Sequence, residues 1–96
     1  MIGVVVTLEV QEGKQMDFEH VFKELMTQVK AHEKGCLTYQ LYKSRKSTTT
    51  YTVMEEYASQ EDLEAHGKTK YFLDAQPKLG ACLAAVPVIE LMDMVE

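Results

Sequence analysis

The sequence predicts one α+β domain with the ferredoxin-like order β-α-β-β-α-β, in which helices cover one face of an antiparallel sheet. The first observation is length, because 96 residues make one domain and are too few for two independent cores. The second is periodicity: segments in which apolar residues alternate, as in strands, are interspersed with segments in which they recur at every third or fourth residue, as in helices. The third is the order of these segments along the chain, which matches the ferredoxin-like plan.

The first strand and the first helix are predicted at the start of the chain. Residues 2–11 alternate in polarity, and five apolar residues share one face: Ile2, Val4, Val6, Leu8 and Val10. From Met16 onward, a broad apolar stripe indicates an amphipathic helix: Phe18, Val21, Phe22, Leu25, Met26 and Val29. Gly35 is predicted to stop this helix in a left-handed conformation.

The next two strands, "CLTYQLYK" and "STTTYTVMEEY", are predicted to pair as an antiparallel hairpin. In the first of them, Leu37, Tyr39 and Leu41 are expected to share one face. In the second, one face is expected to hold five residues: Thr49, Tyr51, Val53, Glu55 and Tyr57.

The second helical segment is predicted in two parts. Ser59 followed by Asp62 is similar to a capping box and indicates a short helix that ends at Gly67. Thr69 is predicted to cap a further helix, which Pro77 would kink or divide. A fourth strand is predicted in "VPVIELMDMV", where apolar and polar or flexible residues alternate: Ile89, Leu91 and Val95 against Glu90, Met92 and Met94.

Charge and composition restrict the classes of partner. A formal net charge of −5 argues against nucleic acid, because phosphate binding needs a basic surface. The apolar runs are too short to span a membrane, so no transmembrane helix is expected. Cys36 and Cys82 have neither metal-site spacing nor a disulfide framework, which favours free thiols and a cytoplasmic location. Valines on both faces of the first strand predict an uncovered apolar sheet face, and hence a homodimer that packs sheet against sheet.

Two stretches, "EKGCLTYQLYK" and "MEEYASQEDLEAHGKTKYF", resemble the antibiotic biosynthesis monooxygenase (ABM) family of small dimeric α+β-barrel proteins. The matching elements are Gly35-Cys36, Tyr39, Glu55 with Tyr57 two residues later, Ser59, and "LEAH" at Leu63 to His66. The element order extends the resemblance over essentially the whole chain, which implies a single ABM-like domain at residues 1–96.

The resemblance implies several possible reactions. Some members of the family oxidise quinol-like or polyketide-type aromatics with molecular oxygen and without a cofactor, others degrade haem, and one branch isomerises a phosphorylated signalling compound. Tyr57 stands where tryptophan is common and is similar to the isomerising branch, and Lys70 occupies a position that often holds a second histidine. The haem-degrading branch uses an asparagine on the first strand, and this chain contains no asparagine.

His66 is the candidate acid–base residue, because an imidazole both accepts and donates protons near neutral pH. The alternative is a structural histidine that closes a helix and bonds to a backbone carbonyl. Tyr57 and Tyr39 offer hydroxyls that orient a substrate and rings that stack on it, or they pack between sheet and helix. Phe72 is expected to wall the pocket or fill the core. Glu55 is expected to bind substrate, to hold the histidine tautomer or to pair with a lysine, or else to be a cross-strand surface charge.

The sequence therefore favours a cofactor-independent monooxygenase, in which His66 is the base and Tyr57 orients a small quinol-like aromatic. A second hypothesis is an isomerase or degradative enzyme for a small phosphorylated dione, with Lys68 or Lys70 binding the phosphate. A third is a non-catalytic, small-ligand-binding or purely structural dimer with a collapsed pocket. No metal is predicted, because no histidine or carboxylate pair has a third ligand at suitable spacing. The isolated glycines indicate no phosphate-binding loop, and the resemblance implies a reaction without a cofactor.

Overall fold

Seven helices and strands follow one another in the computed structural model, which describes residues 1–96: β1 (Ile2–Glu9), α1 (Gln15–His32), β2 (Cys36–Lys43), β3 (Thr50–Tyr57), α2 (Gln60–Gly67), α3 (Lys70–Gly80) and β4 (Val88–Asp93). The four strands form one antiparallel sheet in the order β2-β3-β1-β4. The predicted ferredoxin-like α+β fold is confirmed, with the second helical segment divided into α2 and α3.

The core lies between the sheet and α1. The predicted apolar stripe of this helix is confirmed. Val21 and Met26 lie at the edge of the core, and the other four members of the stripe are buried: Phe18, Phe22, Leu25 and Val29. They pack against buried side chains of the sheet, which include Leu8, Tyr39, Tyr51 and Val53. Burying each such side chain contributes roughly 1.5–3 kcal/mol, so this layer holds the helix against the strands.

The hairpin of β2 and β3 has the predicted pairing but contains a bulge. Cys36 pairs with Tyr57 and Thr38 pairs with Glu56, so Leu37 is an extra residue without a partner in the ladder. The prediction that Leu37 shares the buried face of Tyr39 is therefore wrong, and its side chain is exposed. The bulge also turns Cys36 toward the buried face that carries Tyr57.

The end of α1 differs from the prediction. Gly13 is the residue with a positive φ, at 91°, and Gly35 does not adopt the left-handed conformation predicted for it. The helix ends instead at an extended Glu33, with φ −109° and ψ 90°. Gly35 matters for another reason: an added Cβ would lie 2.1 Å from the Asp62 Cγ atom. This close approach allows α2 to pack over the chain between α1 and β2.

The caps of α2 and α3 are formed by the predicted residues. The Asp62 N–H donates to Ser59 Oγ at 3.2 Å, and the Ser59 hydroxyl donates to the Asp62 carboxylate at 2.8 Å. The Phe72 N–H donates to Thr69 Oγ1 at 3.3 Å at the start of α3. Pro77 lies within α3, which continues to Gly80 without being divided there. The break in the helical segment comes earlier, between Gly67 and Lys70.

The sheet face opposite the helices is uncovered in the single chain. It carries Val5, which pairs with Met54, and several exposed apolar side chains: Tyr42, Met54, Val88 and Met92. On the helix side, Leu91 and Ile89 of β4 pair with Val4 and Val6 but remain exposed. None of the three helices has the length and hydrophobicity that crossing a bilayer requires. Both cysteines are free thiols.

Candidate functional site

A cavity of about 380 Å³ lies between the sheet and the helices. Its lining is mostly apolar and comes from every layer of the fold: Val4, Val6, Leu8, Phe18, Phe22, Leu25, Val53, Leu63, Phe72, Leu79, Leu83, Pro87, Ile89 and Leu91. Polar groups enter this lining at Tyr39, Glu55, His66 and Gln76. An apolar space with a few convergent polar groups is the usual form of a small-molecule site.

His66 occupies the last turn of α2 and is 4% exposed. Its ring centroid lies 4.6 Å from that of Phe72 and 5.2 Å from that of Tyr39, so aromatic packing holds its plane. Nδ1 is 3.0 and 3.1 Å from the two carboxylate oxygens of Glu33. The hydrogen-bond partner of this ring is therefore a carboxylate, and not the backbone carbonyl that the structural alternative predicted.

The other ring nitrogen of His66 is available to a ligand. Nε2 has no hydrogen-bond partner within the chain, and no buried side-chain nitrogen or oxygen lacks a partner. Nε2 is therefore not completely enclosed, and His66 is one of the residues that line the cavity. The predicted acid–base residue thus has one nitrogen held by the protein and the other open.

Glu55 and Tyr57 are joined by a hydrogen bond in which the Tyr57 hydroxyl donates to Glu55 Oε1 at 2.6 Å. Glu55 lines the cavity, whereas Tyr57 is fully buried and is not among the lining residues. Burial raises the pKa of Glu55, while the Tyr57 hydroxyl and the nearby His66 act to lower it and Glu33 acts to raise it. Glu55 is therefore a buried carboxyl group at the cavity wall, neither a surface charge nor the partner of a lysine.

Tyr39 presents the second open polar group. Its ring stacks on Phe22 with centroids 5.6 Å apart and planes 5° apart. Its hydroxyl has no partner in the chain, and by the argument used for His66 it is open to the cavity that Tyr39 lines. Burial and then Glu55 raise the pKa of Tyr39 well above the ordinary range, so the hydroxyl stays protonated and both donates and accepts.

Cys36 is not equipped to be a nucleophile. Burial, followed by the charges of Glu33 and Glu55, raises the pKa of its thiol to about 11. The thiol donates to the Thr38 carbonyl at 3.4 Å. Because the thiolate is the reactive form, this cysteine stays inert at neutral pH.

Glu33 and Tyr71 are site residues that the sequence analysis missed. The Tyr71 hydroxyl donates to Glu33 Oε2, and the same carboxylate contacts His66 Nδ1. One signal was available: Glu33 follows the last turn of α1, where a negative charge opposes the helix dipole. A carboxylate in that position indicates a partner elsewhere in the fold.

Comparison with known proteins places the chain in a family. The family model described as antibiotic biosynthesis monooxygenase matches residues 1–78. The chain belongs to this family. A crystal structure from Caulobacter crescentus CB15, described as a "putative antibiotic biosynthesis monooxygenase", is 49% identical over 99% of this chain and 90% of that chain, with a TM-score of 0.96. A conserved protein from Methanosarcina mazei Go1 is 26% identical over 95% of this chain and 89% of that chain, with a TM-score of 0.90. None of the curated proteins matches the chain.

Within this ABM-family domain, the two lysines considered for phosphate binding lie outside the cavity. Lys68 and Lys70 are exposed, and Lys70 pairs with Asp74 at 3.0 Å. The cavity lining contains no lysine or arginine. No group of three or more histidine, cysteine, aspartate or glutamate side chains is arranged to hold a metal ion. The lining is therefore mostly apolar, with four polar side chains, and it offers no cationic side chain to an anionic phosphate.

Proposed function

We propose that this protein is a cofactor-independent monooxygenase that acts on a small quinol-like or polyketide-type aromatic with molecular oxygen. The observation that carries the proposal is that His66 lines an apolar cavity of about 380 Å³ while its Nε2 has no hydrogen-bond partner within the chain. The cavity is within the size range of small-molecule sites. Membership of the ABM family supports the reaction class.

His66 acts first in the proposed reaction. Its Nε2 accepts the proton of a substrate hydroxyl, and the resulting anion is electron-rich enough to pass one electron to oxygen. The two radicals combine into a peroxide anion at a ring carbon that bears hydrogen, and the imidazolium of His66 returns its proton to this peroxide. The O–O bond then breaks, and the outer oxygen leaves as water with the returned proton and the hydrogen of the ring carbon, so a carbonyl remains. One oxygen atom enters the product and the other leaves as water, so the quinol supplies the electrons.

The other predicted site residues take supporting roles. Phe72 and the stacked pair of Phe22 and Tyr39 offer flat apolar walls to an aromatic ring. The Tyr39 hydroxyl and the carboxyl group of Glu55 bind substrate oxygens at the cavity wall. Because Tyr57 reaches the site only through Glu55, we assign it the positioning of that carboxyl group and not direct contact with substrate.

Oxygen uptake with a panel of hydroquinones tests the proposal. The wild-type protein is compared with His66→Ala and with His66→Gln, which retains a polar side chain, and near-UV circular dichroism verifies that both variants fold. A lost general base lowers the rate by about 10²–10⁴-fold. His20→Ala is the matched control, because His20 is an exposed residue of α1.

Equal oxygen uptake by the wild type and both His66 variants would show that His66 is not the base. Isomerisation of a phosphorylated dione without oxygen would favour the isomerase hypothesis. A hydroquinone that raises the melting temperature without oxygen consumption would favour a binding protein.

We further propose that a second copy of the chain covers the open sheet face. This proposal is supported by the exposed apolar side chains of that face, because an uncovered apolar face is unfavourable in water. These side chains are Tyr42, Met54, Val88 and Met92. Light scattering at micromolar concentration is expected to give a dimer, and Met54→Lys to give a monomer. Met16→Lys, at an exposed position of α1, is the control. A monomeric wild type would overturn this proposal.

A further inference from the structure

We propose that Glu33 and Tyr71 form a positioning pair that holds His66 as the Nδ1-protonated tautomer, leaving Nε2 as the basic nitrogen of the cavity. The statement about the tautomer depends on the contacts of these three side chains alone. Its catalytic consequence rests on the proposed function, in which Nε2 of His66 accepts the substrate proton.

The contact between Glu33 and His66 determines where the ring proton lies. Both carboxylate oxygens are within hydrogen-bond distance of Nδ1, at 3.0 and 3.1 Å. A carboxylate accepts hydrogen bonds, so the proposed arrangement places the ring hydrogen on Nδ1, between the imidazole and Glu33. The side chains of His66 and Glu33 are 5% and 12% exposed, so water competes little with this bond.

Glu33 is itself held on both sides of its backbone. Its N–H donates to the Val29 carbonyl at 2.9 Å, and its carbonyl accepts from the Cys36 N–H at 3.1 Å. The carboxylate therefore projects from a short segment that is bonded both to α1 and to the start of β2. A carboxylate with a fixed backbone selects one ring orientation of His66.

Tyr71 completes the arrangement from α3. Its hydroxyl donates to Glu33 Oε2. Burial and the neighbouring Glu33 raise the pKa of Tyr71 to about 12, so the phenol remains a donor at neutral pH. This bond leaves the second oxygen of Glu33, Oε1, for His66 alone.

The junction of α2 and α3 keeps His66 and Tyr71 in register. The His66 carbonyl accepts from the Thr69 hydroxyl at 2.9 Å and from the Thr69 N–H at 3.3 Å. Thr69 also caps α3, on which Tyr71 lies. Three elements, the end of α1, α2 and α3, thus meet at one carboxylate, which is the arrangement expected of a base whose ring is oriented by a third group.

Once His66 has taken a proton, the same carboxylate stabilises the imidazolium. The positive charge would face Glu33 at 3.0 Å in a site largely shielded from water. Removing the carboxylate is therefore expected to act on the proton-transfer step, with less effect on substrate binding. This distinction separates a positioning residue from one that only maintains the fold.

Nuclear magnetic resonance of ¹⁵N-histidine protein tests the tautomer directly. The chain has three histidines, so the two-bond proton–nitrogen spectrum is simple, and His66→Gln assigns the signal. The wild type is expected to show His66 protonated at Nδ1. In Glu33→Leu no side chain accepts from Nδ1, so the preference for the Nδ1-protonated tautomer is expected to be lost.

The kinetic arm uses the oxygen-uptake assay. Glu33→Gln is expected to lower kcat/KM by about 10²-fold, the lower end of a general-base effect, with the loss in kcat and not in KM. Tyr71→Phe leaves the carboxylate in place, so its kcat is expected to fall less than that of Glu33→Gln. Glu24→Gln is the matched control, because Glu24 pairs with the exposed His20 at 2.7 Å.

The outcomes separate this inference from the proposed function. A wild-type His66 protonated at Nε2, or a Glu33→Leu spectrum identical to that of the wild type, would overturn the positioning pair. If no hydroquinone is oxidised, the proposed function fails, while the spectrum still decides the tautomer. Near-UV circular dichroism identifies any variant that fails to fold, in which case Tyr71→Phe supplies the comparison.

Discussion

The molecule contains two glutamate–histidine pairs that differ in their surroundings more than in their geometry. On α1, His20 Nε2 lies 2.7 Å from Glu24 Oε1, and the two side chains are 77% and 70% exposed. Between α1 and α2, His66 Nδ1 lies 3.0 Å from Glu33 Oε1, and the side chains are 5% and 12% exposed. The shorter bond is the one in water.

The difference shows that environment and not distance decides what such a pair does. Water and salt screen the exposed pair, and an i,i+4 pair of this kind contributes about 0.3–0.5 kcal/mol. Around His66, the rings of Phe72 and Tyr39 exclude water, and Tyr71 bonds the far side of the carboxylate. Only the buried pair has a second partner on its carboxylate, Tyr71, and a histidine that lines a cavity.

The largest expected effect comes from breaking the buried pair. His66→Leu leaves the Glu33 carboxylate buried without its histidine, which is expected to lower the free energy of unfolding by about 3 kcal/mol. His20→Leu leaves Glu24 in water and is expected to change the free energy of unfolding by less than about 0.5 kcal/mol. Urea denaturation of both variants measures the two values.

The double variant His66→Leu/Glu33→Leu sharpens this measurement. If the uncompensated carboxylate causes the loss, replacing both partners with apolar side chains recovers part of the stability. If the double variant loses more unfolding free energy than the two single variants lose together, the uncompensated carboxylate is not the cause. Equal losses for His66→Leu and His20→Leu would contradict it as well.

The next effect concerns the backbone that supports the buried pair. Gly35→Ala places a Cβ 2.1 Å from Asp62 Cγ, so the Asp62 carboxylate, which accepts from the hydroxyl of the N-cap residue Ser59, must move. Loss of the bond between the Ser59 hydroxyl and Asp62 costs about 1 kcal/mol, and α2 carries His66. Thermal unfolding measures this loss, and activity is expected to fall with it.

Gly80→Ala is the matched control for Gly35→Ala. An added Cβ at Gly80 meets nothing within 4 Å, and alanine is the better helix residue at the end of α3. Gly80→Ala is therefore expected to leave the melting temperature unchanged or to raise it. Equal destabilisation by both substitutions would show that the contact with Asp62 is not the cause.

The parts of the fold that local periodicity encodes could be predicted from the sequence. The apolar stripe of α1 and the buried face of β3 follow from spacing alone, because both depend on side-chain direction within one element. The caps at Ser59 and Thr69 were predictable for the same reason. His66 as an acid–base candidate came from the resemblance to the ABM family.

The remaining features arise from contacts between distant segments. Glu33 meets His66 across 33 residues and Tyr71 across 38, and no local pattern encodes either contact. The bulge at Leu37 depends on how β2 registers with β3, which the alternation within β2 does not reveal. Gly35 resembled a helix stop, and only the packing of Asp62 explains why a side chain is excluded there.

The smallest expected effect on stability concerns Glu55. Unlike Glu24 and Glu33, which pair with histidines, Glu55 accepts a hydrogen bond from the neutral Tyr57. Burial raises the pKa of Glu55 above its ordinary value of 4.5, so the folded protein holds this proton more tightly than the unfolded chain does. The stability that Glu55 contributes is then complete below pH 4.5 and is lost as the pH rises through its folded-state pKa.

Glu55→Gln cannot ionise, so its stability relative to the wild type is expected to increase as the pH rises through that window. The slope cannot exceed about 1.4 kcal/mol per pH unit for one proton. Tyr57→Phe removes a hydrogen bond that lowers the pKa of Glu55, so its loss of stability should extend to higher pH than in the wild type. Urea denaturation from pH 4 to pH 8 measures all three proteins. Parallel curves for the wild type and Glu55→Gln would mean that Glu55 ionises in the folded protein as it does in the unfolded chain.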